Sequence, residues 1–277
     1  MRTAVVGHVE WVEFARVPHI PRPGEIVHGD STWTGPGGGG AGAAVQLVKL
    51  STETLFFTAV GDDSLGRRAA DELQRLNVKL HVAWRPGPTR RAFTHIDGTG
   101  ERTITVLGDR LGPHGADRLP WAELKSTDAT YFTAGDEDAL RRARDSRVLV
   151  ATSRALDVVR SSRVKLDALV GSATDPDEAY ATASLDPVPK LVVMTSGATG
   201  GAYWTESGVD ETFIAPELDG PVVSRYGAGD SFAGGLTLAL GAGASPSEAV
   251  AFAARCGAAV LRGTGPFEGQ LTESPFA

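Results

Sequence analysis

Short apolar runs rich in β-branched residues alternate with helical patterns along most of this chain. Six such runs predict buried strands, at residues 3–7, 54–60, 129–133, 148–151, 168–170 and 191–195. Between them, residues 64–76 carry one apolar helical stripe, and weaker helical patterns cover 136–144, 155–160 and 176–183. Strands that alternate with helices favour an α/β fold with a parallel sheet covered by helices on both faces.

Two regions interrupt this alternation. Residues 10–33 mix aromatic and charged side chains with several prolines, and residues 90–107 have the pattern of a hairpin that turns at 98–100. Such insertions predict a small accessory sheet, which over the end of a parallel sheet can act as a lid. A surface hairpin without a role is the alternative. The length of 277 residues and the lack of a linker indicate one domain over 1–277, with lid segments at about 9–34 and 88–109.

Composition narrows the choice of partners and compartment. A net charge of -7 excludes a fold-wide basic surface for nucleic acid. The single Cys256 excludes an intrachain disulfide and fits a reducing cytoplasm. The first apolar run stops at Gly7, too early for a signal peptide, and the uncharged stretch 231–247 contains glycines and Pro246, which favour a buried helix and a turn over a membrane span. We expect a cytoplasmic protein that binds neither nucleic acid nor membrane.

A glycine-rich turn before a helical run carries the strongest signal for function. Gly227, Ala228 and Gly229 precede Asp230, and the helical run covers 233–240. Glycines at a helix start let unpaired N–H groups point at one spot, which suits a phosphate. In phosphoryl transfer an aspartate there could take the proton of the attacking hydroxyl. These residues alone leave open that Asp230 only caps the helix.

A second glycine run, at 35–44, precedes a predicted helix at 45–50. It matches GxGxxG at Gly37, Gly39 and Gly42, and Asp62 lies 20 residues beyond Gly42, so an NAD-dependent oxidoreductase with a Rossmann site is a competing hypothesis. That fingerprint needs a strand before its first glycine, and residues 32–36 are a poor strand. Glycines that only permit close helix packing are a further alternative. No GxxxxGK[ST] segment occurs, which disfavours a P-loop.

A third segment, 194–203 (MTSGATGGAY), follows the last predicted strand. Its hydroxyls and free amides would lie at the carboxyl edge of the sheet, where open α/β sheets bind ligands. A tight turn explains it equally well. The six histidines lack the spacing of a metal centre.

In chain order, these segments resemble the PfkB family of carbohydrate kinases. Residues 37–45 are similar to its GGKGANxAV signature, 60–66 to vGdDxfG, and 223–232 to vDTTGAGDaF. Residues 21–25 resemble its lPrpGE segment, 88–96 and 100–104 its second lid hairpin, and 195–200 its TlGxxG nucleotide loop. The resemblance covers nearly the whole chain.

The resemblance implies a ribokinase-like three-layer α/β fold with a mostly parallel central sheet and a small β-sheet lid. It further implies a kinase that moves the γ-phosphoryl group of ATP, with Mg²⁺, to a hydroxyl of a small sugar-like or nucleoside-like acceptor. By motif position, Asp230 is the base and the amides of Gly227, Ala228 and Gly229 form the anion hole. Pairing of lid strands between subunits would make a homodimer.

The same resemblance assigns the binding residues. It places the nucleotide at Thr195, Gly197, Gly200 and Gly229. It places the acceptor at Gly38, Gly39 and Gly42, with Glu10, Arg102 and Arg154 as further polar candidates for which a surface role is an equal alternative.

Several positions depart from the family pattern. Ser224 and Arg225 replace the usual Asp-Thr, which calls potassium activation into question. Gly42 stands where an acceptor-binding Asn is usual, and residues 7–12 (GHVEWV) lack the sugar-binding Asp. The Mg²⁺-linked NxxE motif reads at best 172–175 (SATD), which leaves Asp175 as the metal candidate. Lost hydrogen-bonding partners change substrate choice, so we expect an acceptor other than simple ribose, or a binding protein with weak or lost catalysis.

Overall fold

The structure is a computed structural model that describes residues 1–180 and 184–276. Its strands are β1 (Arg2–Val6), β2 (Glu10–Arg16), β3 (Ser31–Gly37), β4 (Glu53–Gly61), β5 (Lys79–Arg85), β6 (Arg91–Ile96), β7 (Arg102–Leu107), β8 (Ala129–Phe132), β9 (Val148–Thr152), β10 (Ala168–Ser172), β11 (Leu191–Thr195), β12 (Gly201–Thr205) and β13 (Asp210–Phe213). Its α-helices are α1 (Gly39–Leu50), α2 (Ser64–Arg75), α3 (Glu137–Ala143), α4 (Leu156–Ser162), α5 (Ala228–Gly241) and α6 (Pro246–Ala259).

Nine strands form the central sheet, in the order β13-β12-β11-β10-β9-β8-β1-β4-β5. Seven neighbouring strands of this sheet are parallel: β11, β10, β9, β8, β1, β4 and β5. β12 and β13 add an antiparallel edge beside β11. Because side chains alternate across a strand, Val5 packs in the core with α1, α5 and α6, whereas Ala4 and Val6 pack on the opposite face with α3 and α4. The predicted three-layer fold and all six predicted strands are confirmed.

A separate sheet of four strands, in the order β3-β2-β6-β7, forms the lid. β2 begins four residues after β1 ends, so this sheet rises from the carboxyl end of the central strands. The predicted hairpin is confirmed, since β6 and β7 pair antiparallel. Phe14 stacks on Trp33 with ring centroids 5.1 Å apart and meets Tyr226 edge-on at 5.0 Å. The lid therefore has its own small aromatic core, which includes a residue of the central domain.

Two local predictions are wrong. Residues 32–36 lie in a regular strand, β3, because its partner β2 supplies the pairing that the local sequence does not suggest, and Pro36 is tolerated at the edge of a sheet. The helix predicted at 176–183 is only a 3-10 turn at Pro176–Glu178, where the Glu178 carboxylate turns back to accept from the Ser172 amide at 2.8 Å. Residues 181–183 of that prediction lie outside the described residues.

The uncharged stretch 231–247 forms most of α5, a turn and the start of α6, as predicted. Ser245 caps α6 and Pro246 occupies its first turn. Within residues 1–180 and 184–276, no helix combines the length and apolar character needed to cross a bilayer.

Candidate active site

The first turn of α5 carries the candidate base. Gly227 is the N-cap residue and adopts φ 84°, a left-handed conformation that favours glycine. Asp230 lies three residues further on and makes no capping hydrogen bond with its carboxylate. The structure therefore argues against the capping alternative for Asp230. It leaves the amides of the first turn directed at the space in front of the helix.

Helix α1 packs closely against Asp230. It starts at Gly39 rather than at residue 45, because its glycines fit against neighbouring groups. A Cβ atom on Gly42 would lie 2.7 Å from the Asp230 Cβ, and one on Gly39 would lie 3.2 Å from Asp230 Oδ1. Close packing is therefore one real role of this glycine run. It fixes the Asp230 carboxylate between two helices.

The pKa of the Asp230 carboxyl group is shifted towards neutral pH. Burial raises the pKa of Asp230 to about 6, and the charges of Arg102 and Arg154 offset this only in part. Glu178 and Glu10 add to the rise in pKa. A base with a pKa near the working pH is well matched to proton transfer.

A cavity of about 690 Å³ lies between the lid and the carboxyl ends of the central strands. Arg102, Ile104 and Val106 line it from alternate positions of β7. Of the predicted site residues, the cavity brings together Asp230, Gly227, Ala228, Gly229, Gly38, Gly39, Glu10, Arg102, Arg154, Asp175, Thr195 and Gly197. Gly42 lies behind Asp230, and Gly200, at φ 98°, turns the chain into β12; neither lines the cavity.

The cavity has two ends. Thr195 closes β11 at one end, and His8 follows β1 at the other. Three strands separate β11 from β1, so four strand spacings of ~4.8 Å place these ends roughly 19 Å apart. A cavity of this length has room for two ligands end to end, and Asp230 lines it next to Gly39.

The family model described as "pfkB family carbohydrate kinase" matches residues 2–155 and 140–272 of this chain. The chain belongs to the pfkB family of carbohydrate kinases. It is therefore a phosphotransferase with an alcohol group as acceptor. This membership decides against the oxidoreductase hypothesis, and the fold agrees, since the strand before the glycine run belongs to the lid sheet and not to the parallel sheet.

Individual relatives agree with the family. An ATP-dependent ribose-1-phosphate kinase from Halopiger xanaduensis is 25% identical over 93% of this chain and 91% of its own length. A ribokinase from Arabidopsis thaliana is 25% identical over 90% of this chain and 73% of its own. The structure of Thermotoga maritima ribokinase matches the fold with a TM-score of 0.75 at 22% identity, over 97% of this chain and 95% of that chain.

At the β11 end of this kinase, Arg154 is the central charge. Its Nε lies 2.7 Å from Glu178 Oε1, and its Nη2 pairs with Asp175. Within the part of the chain that the structure describes, no group of three His, Cys, Asp or Glu side chains could hold a metal ion. The sequence interpretation missed Glu178, whose only signal is a carboxylate shortly after a strand end.

At the β1 end, buried polar side chains meet the lid. Glu10 is only 6% exposed, and its Oε2 lies 3.1 Å from Arg90 Nε, although the contact is not aligned as a hydrogen bond. Burial raises the pKa of Glu10, although the positive charges of Arg90 and Arg110 lower it in part. Burial and the nearby arginines lower the pKa of His8, which keeps its ring neutral. The sequence interpretation did not select His8, Arg90 or Arg110 as site residues.

The lid is joined to the segment just before α5. The Arg225 amide donates to the Gly100 carbonyl at 2.9 Å, and Arg225 Nε lies 3.3 Å from Glu101 Oε2. The Gly38 amide donates to the Tyr226 hydroxyl at 3.3 Å. The turn of the lid hairpin and the base of α5 are therefore in direct contact.

Proposed function

We propose that this kinase transfers the γ-phosphoryl group of ATP to a hydroxyl of a small sugar-like or nucleoside-like acceptor, with Asp230 as general base. The observation that carries the proposal is the position of Asp230, which lines the cavity beside the free amides at the start of α5. The acceptor class is drawn from the names of the relatives, which include ribokinases and the Halopiger ribose-1-phosphate kinase. The shifted pKa of Asp230 supports its role.

In the proposed step, the Asp230 carboxylate takes the proton of the acceptor hydroxyl as the hydroxyl oxygen attacks the γ-phosphorus. The bond between the γ-phosphorus and the bridging oxygen breaks, and ADP leaves with that electron pair. The amides of Gly227, Ala228 and Gly229 stabilise the charge on the phosphoryl oxygens. Backbone donors at a helix start need no reorganisation during the reaction, so they act at full strength.

The β11 end suits the nucleotide. Thr195 and Gly197 line the cavity there, with Gly200 supporting the turn and Gly229 facing the phosphates. Mg²⁺ would neutralise charge on the triphosphate. Asp175 and Glu178 are the carboxylates at this end, and both pair with Arg154, which fits an ion carried on the nucleotide phosphates better than one held by protein alone.

The β1 end suits the acceptor. Gly38 and Gly39 leave space beside Asp230, and Glu10 and Arg102 offer polar contacts from the lid strands. Gly42 would act indirectly, by letting Asp230 reach this space.

We also propose that the lid strands join two copies of the chain. β7 is an edge strand of the lid sheet, and Leu107 is 45% exposed on it. Unpaired edges invite pairing with another strand. Sedimentation should show a dimer that Leu107→Lys dissociates. A monomeric native protein would contradict this proposal.

Replacement of the base tests the proposed function. Asp230→Asn should lower kcat/KM for ATP-dependent turnover by about 10²–10⁴-fold or more, because the amide cannot accept the proton. Asp157→Asn is the matched control, since that carboxylate is fully exposed on α4 and away from the cavity. Acceptors would include sugars, nucleosides and sugar acids.

Equal turnover in the native protein and Asp230→Asn would remove Asp230 from its role. Measurable ATP binding without turnover of any acceptor would instead support a nucleotide- or sugar-binding protein with weak or lost catalysis.

A further inference from the structure

Three arginines from the lid and its return loop line the cavity: Arg90, Arg102 and Arg110. Two of them have carboxylate neighbours, since Arg90 lies against Glu10 and Arg102 Nη1 lies 3.7 Å from Glu101 Oε1. Arg110 has no ion pair within the described residues 1–180 and 184–276. This is unlike Arg154, which two carboxylates hold.

Arg110 is an exposed residue, but the chain just after it is fixed in place. Two residues further on, the Gly112 carbonyl accepts from Arg85 Nη2 at 3.0 Å, and Arg85 also bonds both Asp117 carboxylate oxygens, at 2.6 and 2.7 Å. Gly112 packs so closely that an added Cβ would lie 3.0 Å from the Gly135 amide. The loop is therefore anchored just after Arg110, which lines the cavity.

The arginines crowd one another. Burial, Arg90 and Arg154 lower the pKa of Arg110, and Glu10 is the carboxylate that opposes this. Arg110 is also the charge that does most, after burial, to lower the pKa of the neutral His8. A partly covered cation among like charges is unfavourable unless an anion enters with the ligand. Among the described residues, Arg110 is thus a cation without an ion pair at the place where the acceptor would bind.

We propose that the acceptor carries an anionic group, a phosphate or a carboxylate, which Arg110 binds together with Arg90 while the acceptor hydroxyl faces Asp230. The guanidinium group suits this because it donates two parallel hydrogen bonds to either anion. The inference rests on the proposed function, since it names the class of acceptor for the same site.

Matched acceptors provide the test. D-ribose would be compared with D-ribose 1-phosphate and D-ribose 5-phosphate, and D-glucose with D-gluconate, at fixed ATP. We expect kcat/KM to favour an anionic member. Arg110→Gln should raise KM for that acceptor about 10- to 100-fold, the effect of one lost charged hydrogen bond, and leave KM for ATP unchanged. Arg160→Gln, at an exposed arginine of α4, is the control and should match the native protein.

The charge interaction between Arg110 and the acceptor should also make KM depend on salt concentration. KM for the anionic acceptor should rise with ionic strength in the native protein, and less in Arg110→Gln, whereas KM for a neutral sugar should not respond. Preference for a sugar phosphate identifies a phosphate, and preference for gluconate identifies a carboxylate. A thermal melt of Arg110→Gln excludes loss of fold as the cause.

The inference and the proposed function fail differently. Turnover of neutral sugars that depends on Asp230 and gains nothing from an anionic group overturns the inference alone, as does an equal loss for neutral and anionic acceptors in Arg110→Gln. Absence of all turnover overturns the proposed function. In that case calorimetric titration with the same sugar phosphates and gluconate still decides the inference: binding that Arg110→Gln weakens supports it, and no binding overturns it.

Discussion

The two sides of the cavity are built in different ways. Around Asp230, main-chain amides and glycines define the site: α5 begins at a left-handed Gly227, and α1 passes within contact of the carboxylate. Beneath the lid, long charged side chains from different strands and loops define it, as with Arg90 and Arg110. Backbone geometry is set by the fold, whereas a charged side chain can be exchanged without altering the fold. We therefore expect substitutions in the lid to change acceptor choice, and substitutions around Asp230 to change the rate of transfer.

The largest effect that would test this contrast is expected at Gly42. Gly42→Ala places a Cβ 2.7 Å from that of Asp230, so the carboxylate must shift. A misplacement of about 1 Å costs on the order of 100-fold in rate, so we expect kcat to fall by about that factor. Gly35→Ala on β3, whose added Cβ would make an ordinary 3.7 Å contact with Glu72, should retain activity. Full activity of Gly42→Ala would contradict the view that close packing of α1 fixes the Asp230 carboxylate.

A smaller effect is expected from acid. With a pKa of about 6, Asp230 is protonated and inactive as a base at lower pH. The value of kcat/KM should therefore fall about tenfold per pH unit below 6 and level off above it. The acceptor used should have no group that titrates near pH 6. A profile that stays flat down to pH 5 would show that another group carries the proton.

Stability should respond in the opposite direction to activity. Because the folded protein raises the pKa of Asp230, the contribution of this group is fully present below the ordinary pKa of an aspartate and is lost as pH rises through 6. The Asp230→Asn variant does not lose this stability at higher pH, because an amide does not ionise. Water in the cavity weakens the effect, so we expect the variant to be more stable by about 1 kcal/mol at pH 8. Melting temperatures should differ at pH 8 and converge at pH 4, and a less stable variant at pH 8 would contradict this.

The smallest effect concerns monovalent cations. Arg225 lies in the segment that leads into α5, with its guanidinium next to Glu101. The buried Ser224 hydroxyl accepts from the Tyr226 amide at 3.2 Å. We expect exchange of K⁺ for Na⁺ or choline at constant ionic strength to leave kcat unchanged. Activation specific to K⁺ would show that this segment binds an ion despite its altered residues.

The sequence predicted the parts of the site that depend on local geometry. Asp230 and its glycines were identifiable because a helix start needs only neighbouring residues. β3 was missed because Gly35 and Pro36 disfavour a strand locally, and only pairing with the distant β2 makes one. Arg110 and Glu178 were missed for a related reason. Each reaches the cavity from an irregular segment, and no periodic pattern shows where such a side chain will lie.

The contacts between the lid turn and the base of α5 bear on how ATP is protected. Opening the lid must break the Arg225–Gly100 hydrogen bond and separate Glu101 from Arg225. The segment leading into α5 then keeps only its contacts with the central domain, such as the hydrogen bond from the Val223 amide to the Leu261 carbonyl. We expect water, which gains little from lid closure, to be a poor competitor of the acceptor. If the proposed function holds, these contacts would link ATP use to the presence of the acceptor.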